Sequence, residues 1–124
     1  MPALSVAIIG ASGDRSRYAN KAVRAYRAHG HTVYPVHPRE TQVEGLPAYP
    51  SVLRIPGPVD RAVLYVRPAV GAQVLAEVAQ KGVKELWVSP GAESPELLER
   101  ARALGLDPVV ACSILAMGED PEAG

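Results

Sequence analysis

One pattern recurs three times in this 124-residue sequence: a helix-forming stretch, then a glycine, then a run typical of a β-strand. The glycines are Gly30, Gly82 and Gly105. A glycine at that point is typical of a helix C-terminus, because it adopts the left-handed conformation that ends a helix at little cost. Strands joined through helices by such short loops run parallel, with right-handed crossovers. The pattern therefore predicts a parallel α/β fold.

The hydrophobic periodicity assigns the individual elements. Apolar runs, several of them β-branched, predict strands over 4–9, 32–36, 62–66, 85–89 and 108–111, with a short edge strand within 45–49. Apolar residues at helical spacing predict helices over 20–29, 70–81 and 95–104. Ser94 and Pro95 supply a typical helix start for the last of these.

These elements predict an α/β protein with a Rossmann-like, doubly wound, mostly parallel sheet of five or six strands, in a three-layer αβα arrangement. The length favours a single domain over 1–124. The acidic stretch 118–124 contains proline and glycine, and we expect it to be a frayed tail. Pro35 lies inside the second strand and lacks an N–H. That strand therefore needs a weak neighbour on one side, a place that the segment 46–49 fits.

The composition, with 48% hydrophobic and 21% charged residues, is typical of a packed soluble domain. No apolar run approaches the roughly 20 residues of a membrane helix, and no signal-peptide pattern is present, so we expect a cytoplasmic protein without a membrane partner. A single cysteine and three scattered histidines predict no metal site. The net charge is zero, with the basic residues concentrated in the first half, which argues against nucleic-acid binding and favours a local anionic ligand.

Open parallel sheets bind ligands beyond the carboxyl ends of their strands, where the strand order reverses. The first loop at this edge is typical of a phosphate site. Gly10 and Gly13 let the backbone approach a ligand, Ser12 adds a hydroxyl, and the following helix offers unpaired N–H groups. Arg15 and Arg17 add positive charge. The spacing is Gly-x-x-Gly rather than Gly-x-Gly-x-x-Gly, so a tight strand–helix turn is the alternative interpretation.

The loop after the second strand distinguishes between cofactors. An NAD site needs an acidic residue there to bind the ribose hydroxyls, and this sequence has His37, Pro38 and Arg39. Arg39 favours a ribose phosphate, either the 2′-phosphate of NADP or the 3′-phosphate of coenzyme A, with a solvated turn as the alternative. His37 has no catalytic partner at a recognisable spacing, so we predict no catalytic residue. Cys112, after the last strand, is interpreted as a small buried hydrophobe.

Taken in order, these segments resemble the stand-alone CoA-binding domain proteins, which are similar to the N-terminal domain of the succinyl-CoA synthetase alpha subunit. The resemblance covers about residues 4–112. It rests on Val6-Ala7-Ile8-Ile9-Gly10-Ala11-Ser12, Tyr34-Pro35-Val36-His37-Pro38-Arg39, Gly45-Leu46-Pro47-Ala48-Tyr49-Pro50-Ser51, Val59-Asp60 and Arg67-Pro68. The second domain of the synthetase, with its phosphorylated histidine, has no counterpart here, so the resemblance implies no ligase activity.

The resemblance implies coenzyme A, or an acyl-CoA, held along the sheet edge by backbone and side-chain groups from four loops. The diphosphate or the pantetheine arm would lie against the first loop, Gly10, Ala11, Ser12 and Gly13, extended by Arg15, Ser16, Arg17 and Tyr18. The ribose and its 3′-phosphate would be surrounded by His37, Pro38 and Arg39. The adenine would be lined by Tyr65, Val66, Arg67 and Pro68, and the pantetheine would lie near Gly91 and Ala92.

The leading hypothesis is a small CoA-binding protein without catalysis of its own. One alternative is an NADP-dependent, reductase-type nucleotide-binding domain, which Arg39 permits. Another is an interaction module that supplies a CoA-binding domain to a partner subunit. The sequence leaves open whether the chain forms a homodimer.

Overall fold

The computed structural model describes residues 3–122, which fold around one five-stranded sheet and a small hairpin. The strands are β1 (Ser5–Ile9), β2 (Thr32–Val36), β3 (Gln42–Val43), β4 (Leu46–Pro47), β5 (Arg61–Leu64), β6 (Glu85–Val88) and β7 (Pro108–Val110). The helices are α1 (Tyr18–Ala28), α2 (Pro68–Lys81), α3 (Pro95–Ala103) and α4 (Ser113–Ala116), and Val52–Arg54 forms a short 3-10 turn. None of these helices has the length and apolar character needed to cross a membrane.

The sheet has the strand order β2-β1-β5-β6-β7, and all four pairings are parallel. The α/β Rossmann-like fold expected from the sequence is therefore confirmed, with five strands in the main sheet. The glycines that ended the predicted helices adopt positive φ, for example 79° at Gly82, so the recurring helix–glycine–strand pattern predicted the connections correctly.

Each face of the sheet packs against its own helices because alternate side chains of a strand point to opposite faces. Val6 and Ile8 of β1 pack with Val23 and Tyr26 of α1. Their neighbours along β1 belong to a second core on the other face, together with the buried side chains of α2 and α3. The central strands are apolar on both faces for this reason, and the result is three layers.

The segment expected as a sixth edge strand forms a separate hairpin instead. β3 and β4 pair antiparallel with each other through a two-residue turn, Glu44 and Gly45, both with positive φ. Within residues 3–122, Tyr49 alone of this segment pairs with the outer edge of β2. Its N–H donates to the carbonyl of Pro35 and its carbonyl accepts from the N–H of His37, both at 2.9 Å. Pro35 is therefore tolerated as anticipated, since its nitrogen lies on an edge with one weak neighbour.

The expectation of a frayed tail over 118–124 stays a prediction, although residues 119–122 lie against α1 in the structure. A one-turn helix missed by the sequence analysis, α4, turns the chain back toward α1. His29 Nε2 lies 2.8 Å from Oε1 of Glu119, and the Tyr18 hydroxyl hydrogen-bonds to the Glu122 carboxylate. Pro121, between these two acidic residues, is buried. Residues 123–124, which belong to the same prediction, lie outside the described residues.

His31 ties the end of α1 to the start of β1, because its Nδ1 accepts a hydrogen bond of 2.9 Å from the N–H of Leu4. Burial, with the nearby Arg61 guanidinium, lowers the pKa of His31 below its ordinary value of 6.5. Protonation both forfeits the Leu4 hydrogen bond and charges a partly buried ring.

We predict that the free energy of unfolding falls as the pH drops below about 6.5. The unfolded chain takes up the His31 proton at that pH, whereas the folded protein resists it. Urea denaturation at pH 7.5 and 5.5 measures this fall. His31→Asn, which keeps an acceptor for Leu4 but does not titrate, should show a smaller fall. An equal fall in the free energy of unfolding of the native protein and of His31→Asn would contradict the assignment of this pH dependence to His31.

Candidate functional site

The strand order reverses between β1 and β5, and three loops meet there at the carboxyl edge. The N–H groups of Gly10 and Ala11 donate to the carbonyl of Val36 at 2.9 and 3.2 Å. The N–H of Tyr65 donates to the carbonyl of Ile9 at 2.8 Å. Backbone hydrogen bonds thus bring together the predicted loops after β1, β2 and β5. Their role toward a ligand stays a prediction.

The close approach of the loops after β1 and β5 requires a glycine at position 10. Its φ is +94°, and a Cβ placed on it would lie 2.6 Å from the carbonyl oxygen of Tyr65 and 2.7 Å from a methyl group of Val66. Gly13 has open space where a Cβ would lie, so the packing of the protein itself does not require glycine there. The sequence interpretation assigned both glycines to the ligand, and the tight backbone contact gives Gly10 a separate, structural reason.

The rest of the first loop is held by hydrogen bonds within itself. The Ser12 hydroxyl accepts from the N–H of Asp14 at 3.0 Å. The Asp14 carboxylate accepts from both the hydroxyl and the N–H of Ser16, which lowers the pKa of Asp14. Tyr18, predicted to extend this loop, is instead the first residue of α1, because the helix begins two residues earlier than its apolar pattern indicated.

A buried amide that the sequence analysis missed anchors this loop to the β3–β4 hairpin. Asn20 is fully buried, and its amide donates to the carbonyl of Ser12 at 2.8 Å and to Glu44 at 3.1 Å. Its oxygen accepts from Arg24 at 2.9 Å. Glu44 also pairs with Arg15 at 3.4 Å. The only sequence signal for this network was a polar residue on the apolar face of a predicted helix.

The arginines of the predicted site differ in whether they form salt bridges within the protein. Arg15 pairs with Glu44, and Arg17 lies 3.7 Å from Asp14. Arg39 and Arg67 are exposed, and within residues 3–122 neither forms a salt bridge. These two guanidinium groups are therefore the ones left to meet an anion at this edge.

His37 shapes the turn that presents Arg39. Its Nδ1 accepts hydrogen bonds from the backbone N–H groups of Arg39 and Glu40 at 3.0 and 2.9 Å. Two donors on one nitrogen make it an acceptor, so Nδ1 is not free to take a substrate proton. This arrangement gives His37 a positioning role in the turn, which the sequence pattern did not indicate.

An apolar cavity of about 160 Å³ opens at the reversal point. Three of its lining residues, Gly10, Pro38 and Val66, belong to the sequence-predicted site. Val70 and Val74 of α2 form another wall, and Val70 is 39% exposed although it is a large apolar residue. The remaining lining residues are Ile9, Val36, Pro50, Ser51, Val52 and Glu77.

A second cavity, of about 270 Å³, joins the loop after β5 to the loop after β6. It is lined by Tyr65, Val66, Arg67, Ser89, Pro90, Gly91 and Ala92. Of the predicted adenine segment 65–68, Val66 lines both cavities, and Tyr65 and Arg67 line only this one. Pro68 begins α2 and lines neither cavity. The N–H of Gly91 is already engaged by the Glu93 carboxylate at 2.7 Å, and Ala92 is buried.

Cys112 is not a fully buried core residue, contrary to the sequence interpretation. It is half-buried at the N-cap of α4 because α4 turns the chain sharply after β7, and it borders a third cavity beside Tyr65 and Ser89. Across residues 3–122, no group of three or more histidine, cysteine, aspartate or glutamate side chains is placed to hold a metal ion.

The helices that lead away from the reversal point start without polar caps. Neither α1 nor α2 has a side-chain cap or an acidic residue in its first turn, whereas α3 has both Ser94 and Glu96. Uncapped N–H groups and the positive end of a helix dipole favour an anion. The parallel sheet and its strand order place the chain among Rossmann-like α/β domains, and the apolar cavity and the two uncapped helices lie at the reversal point.

Comparison with known proteins identifies the family. Residues 4–119 match the model of the CoA binding domain, and the chain belongs to that family. It is 35% identical over 112 residues to the alpha subunit of ADP-forming acetate–CoA ligase II from Pyrococcus furiosus, an alignment that covers 82% of this chain and 24% of the relative. The chain thus spans about a quarter of that subunit. The resemblance to CoA-binding domain proteins is confirmed.

Solved structures give the same result. A conserved hypothetical protein from Pyrococcus furiosus superposes with a TM-score of 0.84 at 35% identity, covering 91% of this chain and 98% of that one. The dinucleotide-forming acetyl-coenzyme A synthetase 1 from Ca. Korarchaeum cryptofilum superposes with a TM-score of 0.71 at 28% identity. That alignment covers 85% of this chain and 25% of the synthetase.

We predict that Gly10→Ala lowers the free energy of unfolding by about 2–4 kcal/mol, since it adds left-handed strain and a clash with the Tyr65 carbonyl. Gly13→Ala, in open space in the same loop, should change it by less than about 1 kcal/mol. Urea denaturation of both variants measures the difference. Equal losses of stability for the two variants would contradict the conclusion that the close approach of the Tyr65 backbone requires glycine at position 10.

Proposed function

We propose that this protein binds coenzyme A at the carboxyl edge of its sheet and carries out no chemistry of its own. The observation that carries the proposal is the apolar cavity at the reversal point, in a chain that belongs to the CoA-binding domain family. Ligands of open parallel sheets bind at this point. CoA combines a flat apolar base, several phosphates and a long thiol arm, and the edge offers a complementary surface for each.

The adenine is proposed to enter the apolar cavity. Pro38 and Val66 line it, and Val70 and Val74 of α2 add further apolar surface. Burying a flat aromatic ring among such side chains is favourable because it removes apolar surface from water. The exposure of Val70 is then explained, since the ring would cover it.

The phosphates are proposed to lie between the two uncapped helix N-termini, with Arg39 meeting the 3′-phosphate. The His37 turn holds the backbone of Arg39 at the end of β2, and within residues 3–122 no acidic side chain pairs with its guanidinium. A guanidinium matches a phosphate with two parallel hydrogen bonds. The pantetheine arm would then run past Tyr65 toward Gly91, along the second cavity.

A partner subunit is a second proposal, supported by one observation. In the Pyrococcus ligase relative, the part that this chain matches is 24% of a longer subunit. We propose that the chain presents its bound CoA to a separate protein that supplies the remaining functions. Pull-down from lysate in the presence and absence of CoA tests this, and recovery of no CoA-dependent partner argues against it.

We predict that Arg39→Ala weakens the binding of CoA about tenfold, the loss typical of a charge-assisted hydrogen-bond pair. Binding of dephospho-CoA, which lacks the 3′-phosphate, should change less than twofold. Isothermal titration calorimetry gives both constants. Arg102→Ala is the matched control, an exposed arginine on α3 that lines neither of the two proposed CoA cavities. Equal losses for CoA and dephospho-CoA would exclude Arg39 as the 3′-phosphate ligand.

A further inference from the structure

The apolar cavity at the reversal point contains one carboxylate that has no cationic partner. Among the side chains that line this cavity, within residues 3–122, only those of Ser51 and Glu77 are polar. Glu77 is half-buried on α2, and its Oε1 accepts a hydrogen bond of 3.0 Å from the Ser51 hydroxyl. In a mostly apolar binding site, a small number of fixed polar groups decides which ligand is accepted. Glu77 therefore stands where it can recognise the edge of a bound base.

The sequence offers Glu77 an ion-pair partner that the structure does not use. Lys81 lies four residues later on the same helix, at the spacing at which glutamate and lysine commonly pair. Lys81 instead donates a hydrogen bond of 2.6 Å to the carbonyl of Ile55. Within residues 3–122, Glu77 forms no salt bridge, and Ser51 is its one hydrogen-bond partner. The second carboxylate oxygen, Oε2, is thus left to accept a hydrogen bond from a ligand.

Ser51 determines which oxygen of Glu77 remains for the ligand. The Ser51 hydroxyl oxygen accepts a hydrogen bond of 3.1 Å from the N–H of Leu53, because Ser51 caps the short 3-10 turn. A carboxylate can only accept, so the proton of this hydroxyl is directed at Oε1 of Glu77. Ser51 is therefore a positioning residue for the carboxylate.

We propose that Glu77 makes this site selective for a base with an exocyclic amino group, as adenine has, by accepting a hydrogen bond from that group. The inference rests on the proposed function and names the residue that recognises the base. The apolar side chains of the cavity contact any flat purine in the same way, so they do not distinguish adenine from hypoxanthine. Adenine carries an N–H donor at position 6, whereas hypoxanthine carries a carbonyl. A carbonyl facing Glu77 sets two acceptors against each other.

Calorimetry of the native chain with CoA and with the analogue in which hypoxanthine replaces adenine tests the inference. We expect CoA to bind about thirtyfold more tightly, because the analogue loses a charge-assisted hydrogen bond and leaves the carboxylate facing an acceptor. Equal affinities, or tighter binding of the analogue, overturn the inference and leave the proposed function in place. No binding of either compound overturns both.

Glu77→Gln locates the selectivity with little change in side-chain size. The amide oxygen takes the place of Oε1 beside Ser51, and the amide nitrogen then offers a donor to the base. The dissociation constant of the analogue divided by that of CoA should fall from about thirty to about one or below. Glu99→Gln is the matched control and should leave this ratio unchanged, since Glu99 is an exposed glutamate on α3 that lines neither proposed CoA cavity. An unchanged ratio in Glu77→Gln, or an equal fall in both variants, overturns the assignment to Glu77.

Two substitutions of Ser51 test its positioning role. Ser51→Ala removes the hydroxyl that orients Glu77, so the same ratio should fall at least about threefold. Ser51→Thr keeps a hydroxyl and should retain the ratio of the native chain. Thermal denaturation confirms that both variants are folded before they are titrated. An unchanged ratio in Ser51→Ala, or an equal fall in Ser51→Thr, overturns the positioning role.

Discussion

The loops after β1 and β5 meet at Gly10, where the chain leaves no room for a side chain between them. This contact lies where the strand order reverses. From β1 the chain adds β2 on one side of the sheet, and from β5 it adds β6 on the other side. It fixes the distance between the two loops and hence the mouth of the apolar cavity. The uncapped starts of α1 and α2, the Arg39 turn and the second cavity, beside Tyr65 and Gly91, all lie at the same edge of the sheet. A shift at this crossing would move every part of the proposed site together.

Much of the fold was predictable because its signals are local. Glycines at the helix ends and apolar runs fixed the order of strands and helices, and β2 was predicted with its observed bounds. The errors have local causes too. α4 is one turn long and too short to show a helical period, and the turn of the β3–β4 hairpin uses Glu44, a residue uncommon at positive φ. The segment 118–122 was expected to fray because it is acidic and contains proline and glycine, and its contacts with α1 leave no periodic pattern in so short a stretch.

The site was predictable as an edge and as a set of loops, but not in its details. Positions after strands in a parallel sheet converge by topology, so the loops could be named from the sequence. The roles of single residues depend on distant partners. Asn20 acts through Glu44, and the walls of the apolar cavity come from Val70 on α2, a residue whose helical spacing equally suited a buried core face. His37 was considered as a base, whereas the structure uses its Nδ1 to hold a turn.

The central claim is that this edge holds coenzyme A rather than another phosphorylated nucleotide. Thermal denaturation and calorimetry of the native chain with CoA and with NADP test it most directly. At about 100 times its dissociation constant, a ligand stabilises the folded state by roughly 2.7 kcal/mol, a readily measured shift. The account predicts saturable binding of CoA at one site per chain and binding of NADP at least tenfold weaker. NADP binding as tightly as CoA, or no response to CoA, would contradict it.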